Sequence, residues 1–135
     1  MKCVILIDES LPLGLIANCA SVLSLSLGKK VDGLIGYDLE DMENRIHAGI
    51  TTLPIPILKS SVVELKKLRE ILFDNKYGDC FVVDFTNVAQ TTKTYEDYSN
   101  AIASTSLDKL KYLGILIYGP KKLINKLVGS IGLLR

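Results

Sequence analysis

The chain has 135 residues, a length typical of one domain, and 48% of them are hydrophobic, so a core can form without disulfides or metals. Its 16 basic and 15 acidic side chains leave a formal charge of +1, without the basic excess of a dedicated nucleic-acid-binding protein. The 3 cysteines form no CxxC pair and no zinc pattern with the single histidine, so we predict no metal site and no cofactor.

No internal repeat, low-complexity tract or linker divides the chain, so residues 1–135 are predicted to form a single domain. The first apolar run, residues 3–7, is too short for the core of a signal peptide and precedes two acidic residues. The uncharged stretch 11–28 approaches the length of a membrane span, but its proline, asparagine and serines favour a buried core helix. The chain is therefore predicted to be cytoplasmic and to contact no membrane.

The first part of the chain predicts one strand, one helix and a long loop. Residues 3–7 are continuously apolar, as in a strand that is buried on both faces. Residues 13–27 predict a helix that ends at Gly28, before two lysines. Residues 29–49 are polar and rich in Asp and Gly, which predicts a loop with one short turn.

Residues 53–58 predict a strand at the edge of the sheet. Pro54 and Pro56 cannot donate to a ladder, and residues two apart point their backbone groups to the same side of a strand. Both missing donors therefore fall on one side, which we predict to face solvent, while the other side pairs.

The rest of the chain alternates helices with strands. Ser61 and Glu64 form a capping box for a helix whose apolar stripe reaches Leu72. The opposite face of that helix is predicted to carry Lys66, Lys67, Arg69 and Glu70. Further elements are predicted as a strand at 80–83 ending at Asp84, a helix from Thr94 to Ile102, a strand at 112–118, and a helix from Pro120 at its first position to Gly129. Such alternation is typical of an α/β sheet covered by helices on both faces.

Two aspartates directly follow predicted strands. In open α/β sheets, ligands gather outside the carboxyl ends of parallel strands, where Asp8 and Asp84 are predicted to share one rim. Their functional interpretation is general acid/base catalysis or orientation of a polar substrate, with Thr86 close to Asp84. The alternative is that each aspartate only caps the turn that follows it. We favour the turn for Asp8 and leave both interpretations open for Asp84.

Other polar residues stand out by their surroundings. Asn18 lies in an otherwise apolar helix, where a buried amide needs either a ligand or nearby backbone groups as partners. His47, with Thr51 and Thr52, lies in the predicted long loop and is the only histidine. A lone loop histidine more often lies exposed without a catalytic role than takes part in catalysis.

Lys121 and Lys122 occupy the first turn of the last predicted helix, where the helix dipole disfavours positive charge. Backbone donors at a helix start together with two ammonium groups suit a phosphate or carboxylate. The alternative, which we favour, is that both side chains point into solvent. No P-loop, GxGxxG, GxSxG or HExxH pattern is present, so the common nucleotide-binding, hydrolase and metalloprotease motifs are excluded.

Two segments carry a resemblance to a known family. They are residues 2–7 followed by Ala17-Asn18-Cys19-Ala20-Ser21, and Gly119-Pro120 followed by residues 123–129. They resemble the first strand and helix, and the closing strand-GP-helix segment, of peptidyl-tRNA hydrolase II. Nearly the whole chain is still more similar to a family of small bacterial and archaeal proteins known only as a domain of unknown function on that fold. That similarity rests on residues 49–52, 54–58, 83–86 and 118–122.

The resemblance implies a three-layer α/β/α sandwich with a mixed four-stranded sheet of order 2-1-4-3, in which strand 4 is antiparallel. It places strand 2 at an edge, as the prolines do. The helix at 94–104 would then interrupt a hairpin connection, and Gly119-Pro120 would lie at the opposite end of the sheet from Asp8 and Asp84.

The catalytic residues of peptidyl-tRNA hydrolase II are mostly replaced. Aligned on Cys19, its lysine corresponds to Gly14, its glutamine to Asn18 and its histidine to Ser21. The aspartate after its third strand is matched by Asp84, and Thr86 is one candidate for its threonine. Loss of the lysine removes the group best suited to an RNA phosphate or a developing oxyanion.

Three hypotheses follow, and the resemblance leaves open whether the chain is an enzyme. The leading one is a small polar or anionic ligand bound near Asp84, Asn18, Cys19 and the 47–52 loop. The second is a divergent hydrolase of peptidyl-tRNA or another ester that uses Asp84, although the neutral charge disfavours tRNA as a partner. The third is a non-catalytic homodimeric module, which a mean hydropathy of +0.29 favours through exposed apolar surface.

Overall fold

The computed structural model describes all 135 residues, which fold as a mixed α/β structure. The elements are β1 (Lys2–Asp8), α1 (Leu13–Lys30), β2 (Leu39–Glu40), β3 (Ile46–His47), β4 (Ile57–Ser60), α2 (Val62–Leu72), a 3-10 turn (Asn75–Tyr77), β5 (Phe81–Thr86), α3 (Asn87–Thr91), α4 (Tyr95–Ser104), β6 (Tyr112–Gly119) and α5 (Lys121–Val128). None of the α-helices combines the length and the hydrophobicity that crossing a bilayer requires.

The main sheet has four strands in the order β4-β1-β6-β5. β4 runs parallel to β1, whereas β6 runs antiparallel to both β1 and β5. Successive side chains of a strand point to opposite faces, and each face of this sheet has its own apolar cluster. Ile5 packs in the cluster that contains Leu23 of α1, whereas Leu6 packs in the cluster that contains Leu65 of α2 and Ile124 of α5. Helices therefore cover both faces of the sheet, as the sequence predicts.

Helix α1 differs from its prediction in length and in burial. It continues through Gly28, and the amide of Val31 closes it by donating to the Leu27 carbonyl at 2.9 Å. Only a single stripe at four-residue spacing is buried, formed by Cys19, Leu23 and Leu27. The prediction of a buried core helix is wrong, because α1 packs on the sheet along this one stripe and its opposite side faces solvent.

The edge strand is in the predicted place, but the prolines precede it. Pro56 turns its carbonyl toward β1, where it accepts from the Ile5 amide at 3.0 Å. The nitrogen of an extended residue points to the same side as its carbonyl, and the Pro56 nitrogen has no hydrogen to give. Regular pairing with β1 therefore begins only at Ile57.

The outer side of β4 does not face solvent, contrary to the prediction. The Lys59 amide donates to the Gly132 carbonyl at 3.0 Å, and the Leu134 amide donates to the Ile57 carbonyl at 2.9 Å. The last residues of the chain thus cover this edge of the sheet, which protects it from pairing with another chain.

Helix starts agree with the predicted capping residues. The Ser61 hydroxyl accepts from the Glu64 amide at 3.2 Å, and the Thr94 hydroxyl accepts from the Asp97 amide at 3.0 Å. Pro120 is the N-cap of α5 rather than its first helical residue. The two hydroxyl groups satisfy backbone donors that helices leave free at their start, whereas Pro120 makes no side-chain cap hydrogen bond.

The predicted loop between α1 and β4 contains a small hairpin. β2 and β3 pair antiparallel, and an isolated antiparallel bridge joins Ile35 to Thr51 at the base of this hairpin. We call residues 35–50 the arm. The Asp41 carboxylate organises its tip, since it accepts from the amides of Glu43 and Arg45. The arm is a second, two-stranded sheet separate from the main one.

Candidate functional site

Asp84 lies inside β5 rather than after it, because that strand continues to Thr86. β1 and β5 run in the same direction, since each is antiparallel to β6. Leu6 and Asp84 both pair with Ile115, so they lie level across the sheet, about 10 Å apart at two strand spacings. Asp8 and Asp84 therefore lie toward the same end of the sheet, but β6 separates them.

Asp84 forms an ion pair with Arg69 of α2. The Arg69 Nε donates to Asp84 Oδ2 at 2.7 Å, and the two side chains are only 13% and 17% exposed. The guanidinium also lies 3.8 Å from the ring centre of Phe73. Arg69 was predicted on the opposite, solvent-facing side of the helix, and this prediction is wrong. The helical spacing predicts the observed position, because Arg69 lies four residues after Leu65 and three before Leu72, on the same buried stripe.

Two tyrosines surround this ion pair. Burial raises the pKa of Tyr98, a hydrogen bond with Thr86 partly offsets this, and the Asp84 carboxylate raises it further. Burial and the same carboxylate also raise the pKa of Tyr112. Both phenols therefore stay protonated near neutral pH, where they can donate hydrogen bonds.

A cleft of about 510 Å³ runs along the outer side of β5, between α1 and the α3–α4 segment. Asp84 and Lys93 are its charged lining residues, and Tyr95 and Tyr98 contribute aromatic surface. Their rings meet edge to face, with centroids 5.9 Å apart. β5 pairs only with β6, so its other side turns backbone groups toward this cleft.

Thr86 and Asp8 have structural partners. Thr86 is fully buried, and its hydroxyl accepts from the Ala89 amide at 3.3 Å, which caps the short helix α3. Asp8 is 5% exposed, and its Oδ1 accepts from the amide and the hydroxyl of Ser10 at 3.0 and 2.8 Å. These contacts agree with the interpretation that Asp8 caps the turn that follows β1.

The other predicted ligand residues are not brought to Asp84. Asn18 is exposed on α1, so its amide needs no buried partner. His47 contacts Asp41 within the arm at 2.8 Å. The Thr51 hydroxyl donates to the Leu53 carbonyl, and the Thr52 hydroxyl donates to the Leu34 carbonyl, both at 3.1 Å. The lining of the Asp84 cleft includes none of these residues, nor Cys19.

Lys121 and Lys122 lie at the opposite end of the sheet. Gly119, just before their helix, pairs with Lys2 at the start of β1. Both lysines are exposed, and neither forms an ion pair. This arrangement agrees with the solvent interpretation. No group of three or more His, Cys, Asp or Glu side chains is placed to hold a metal ion.

The buried thiols lead to a first testable prediction. Burial raises the pKa of Cys3 and of Cys19 from 9.0 to about 12. Unfolded thiols lose their protons first, so we expect the free energy of unfolding to fall as pH rises from about 9 towards 12, and not below 9. Urea unfolding at about pH 8 and about pH 10 measures this effect, with the Cys3→Ala/Cys19→Ala variant as control. The variant should show a smaller loss, and an equal loss would contradict the assignment to these thiols.

Comparison with known proteins identifies a family and a fold. A family model described as "Protein of unknown function (DUF2000)" matches residues 1–135. No curated protein matches the chain. A solved structure of a protein of unknown function, Atu0240 from Agrobacterium tumefaciens, is similar with a TM-score of 0.85 and 15% identity, over 98% of this chain and 96% of that chain. At this identity, the similarity shows a shared fold alone.

Proposed function

Because this chain belongs to the DUF2000 family of proteins of unknown function, we propose a function from its own side chains: it binds a small anionic ligand in the cleft beside Asp84. The ligand carries a carboxylate or phosphate group and a planar or apolar part. This proposal rests on a cleft of about 510 Å³ that is lined by two charged residues. Asp84 has an ion-pair partner, and Lys93 does not. That volume lies within the range of small-molecule sites.

The charges of the cleft support an anion rather than a cation. Asp84 is the other charged lining residue, and the Arg69 guanidinium offsets its charge. Lys93 is exposed and makes no hydrogen bond or ion pair within the chain. The cleft is therefore locally positive, although the whole chain is nearly neutral.

The walls support a ligand with a planar or apolar part. Tyr95 is 85% exposed at the mouth of the cleft, and Tyr98 and Val82 lie beside it. A flat group against these rings would cover aromatic surface that solvent now contacts. The unpaired side of β5 adds backbone N–H groups, which can bind carboxylate or phosphate oxygens.

Hydrolysis of peptidyl-tRNA or another ester stays a prediction from the resemblance, and we rank it below binding. Oδ2 of Asp84 is already held by Arg69, and Thr86 is fully buried. The only histidine, His47, lies in the arm against Asp41. The peptidyl-tRNA hydrolase II fold also stays a proposal from the resemblance. The cytoplasmic location stays a separate proposal, which rests on the apolar segments of the sequence.

Binding can be tested by backbone amide NMR shifts with three probes: inorganic phosphate, an aromatic carboxylate and a nucleoside monophosphate. We expect at least one probe to shift the amides of β5 and residues 92–98. Lys93→Met should weaken that binding by about 10-fold or more, since hydrogen bonds to charged groups contribute about 1.5–3 kcal/mol. Lys67→Met, which removes an exposed lysine that does not line the cleft, should leave binding unchanged. Shifts that are absent for all three probes, or equal in Lys93→Met, would contradict the proposal.

A further inference from the structure

The arm exposes large apolar side chains instead of burying them. The exposed large apolar residues of this segment are Ile35, Tyr37, Leu39, Met42, Ile46 and Ile50. Met42, near the tip, is 98% exposed. An apolar concentration of this kind on a surface marks an interaction site, because scattered single residues are the ordinary pattern.

Polar contacts, not a core, hold the arm in shape. The Asp41 carboxylate accepts from the Glu43 amide at 2.9 Å and from Arg45 Nε at 2.9 Å, and lies 2.8 Å from His47 Nε2. Hydrogen bonds from His47 and from the Arg45 amide hold the pKa of Asp41 below its ordinary value. The apolar side chains of the arm are therefore not needed for its own hairpin, and they remain available for a partner.

An apolar groove of about 900 Å³ lies between the base of the arm and the end of α1. Leu25 of α1, 78% exposed, forms one wall, and Ile35 and Ile50 form the other. Lys29 lies at its rim and Lys30 follows it. The groove lies on the exposed side of α1, and it is separate from the Asp84 cleft.

The arm and the groove carry opposite unpaired charges. Lys29 and Lys30 have no acidic partner within the chain. In the arm, Asp41 is held internally and Asp38 accepts from the Gly49 amide at 2.9 Å. The carboxylates of Glu40 and Glu43 are exposed and form no ion pair within the chain. An acidic, apolar arm thus matches a basic, apolar groove.

We propose that two copies of this chain form a twofold dimer in which the arm of each copy lies in the groove of the other. Both complementary surfaces are on the same chain, which is what an isologous interface requires. The exchange would cover Met42 and Leu25 with apolar surface and bring Glu40 and Glu43 close to Lys29 and Lys30. The dimer is independent of the ligand proposed for the Asp84 cleft, because it uses another surface.

Sedimentation equilibrium of the full chain, from low micromolar to near-millimolar concentration, tests the proposal. We expect a reversible monomer–dimer equilibrium for the wild type. Met42→Lys should raise the dissociation constant by about 10-fold or more, since central interface residues dominate binding. Its thermal unfolding at low concentration should be unchanged, because Met42 packs against nothing in the single chain.

Charge reversal tests the pairing itself. Lys29→Glu/Lys30→Glu should weaken the dimer, and so should Glu40→Lys/Glu43→Lys, whereas the variant that combines all four changes should regain it. A wild type that stays monomeric, or a dimer unaffected by Met42→Lys, overturns the proposal. Failure of the combined variant to regain the dimer overturns the placement of the arm in this groove.

Discussion

Arg69→Met is expected to lower the free energy of unfolding by about 2–3 kcal/mol, because it leaves the Asp84 carboxylate without its partner in a mostly buried position. Losing one member of a fully buried ion pair costs about 3–5 kcal/mol, and the 13% and 17% exposure of this pair reduces that figure. Some stacking on Phe73 is lost as well. Urea unfolding followed by circular dichroism measures the change.

Two further variants separate charge from packing. Arg69→Met/Asp84→Leu removes both charges, so it should regain much of the stability that Arg69→Met loses. Arg45→Met is the matched control, because Arg45 makes a similar Nε–Oδ2 contact of 2.9 Å with Asp41 but is 72% exposed. It should cost less than about 1 kcal/mol. Equal losses for Arg69→Met and Arg45→Met would show that burial of the Arg69–Asp84 pair has no energetic consequence.

Gly114→Ala is expected to destabilise the protein by about 1–3 kcal/mol, because β6 touches α1 at this position. A Cβ on Gly114 would overlap the Cys19 sulfur and would lie 3.3 Å from Leu23 Cδ1. Both neighbours are completely buried in the stripe that fixes α1 to the sheet, so neither can move into solvent. The cost comes from steric overlap rather than from backbone strain, because Gly114 does not have a positive φ.

Shortening the Cys19 side chain should relieve its overlap with the methyl group of Gly114→Ala. Cys19→Ala removes the sulfur, so Gly114→Ala should cost less in a Cys19→Ala background than in the wild type. Gly28→Ala serves as the control, because a Cβ there meets nothing within 4 Å. Since Gly28 is helical, this change should stabilise by about 0.5–1 kcal/mol. Strictly additive effects of Cys19→Ala and Gly114→Ala would contradict direct contact as the cause.

Local signals predicted the parts of the fold that depend on neighbouring residues. The runs that form β1 and β6 are apolar over several consecutive positions, and both strands are buried as expected. The Ser61 cap works within four residues of sequence. The alternation of such elements predicts a sheet with helices on both faces, whereas the antiparallel direction of β6 was implied only by the family resemblance.

The candidate site was only partly predictable, because its contacts join residues that are distant along the chain. Asp84 was singled out by its position after an apolar run, but its partner Arg69 comes from a helix 15 residues earlier. Apolar spacing alone places Arg69 on the buried stripe, and its charge suggested the opposite face. Asn18 was misjudged for a related reason, since an apolar sequence on all sides does not show which side of a helix the sheet will cover.

By itself, the sequence determined the types of the longer strands and helices and the serine and threonine caps, because each depends on chemistry within a few residues. The edge position of β4 was predicted from two prolines that precede the strand. Only the tertiary structure decided that the last residues cover that edge, that β6 separates Asp8 from Asp84, and that Arg69 neutralises Asp84. These contacts depend on strand register and on the direction in which each helix crosses the sheet. Both are set by packing of the whole core, which no short segment encodes.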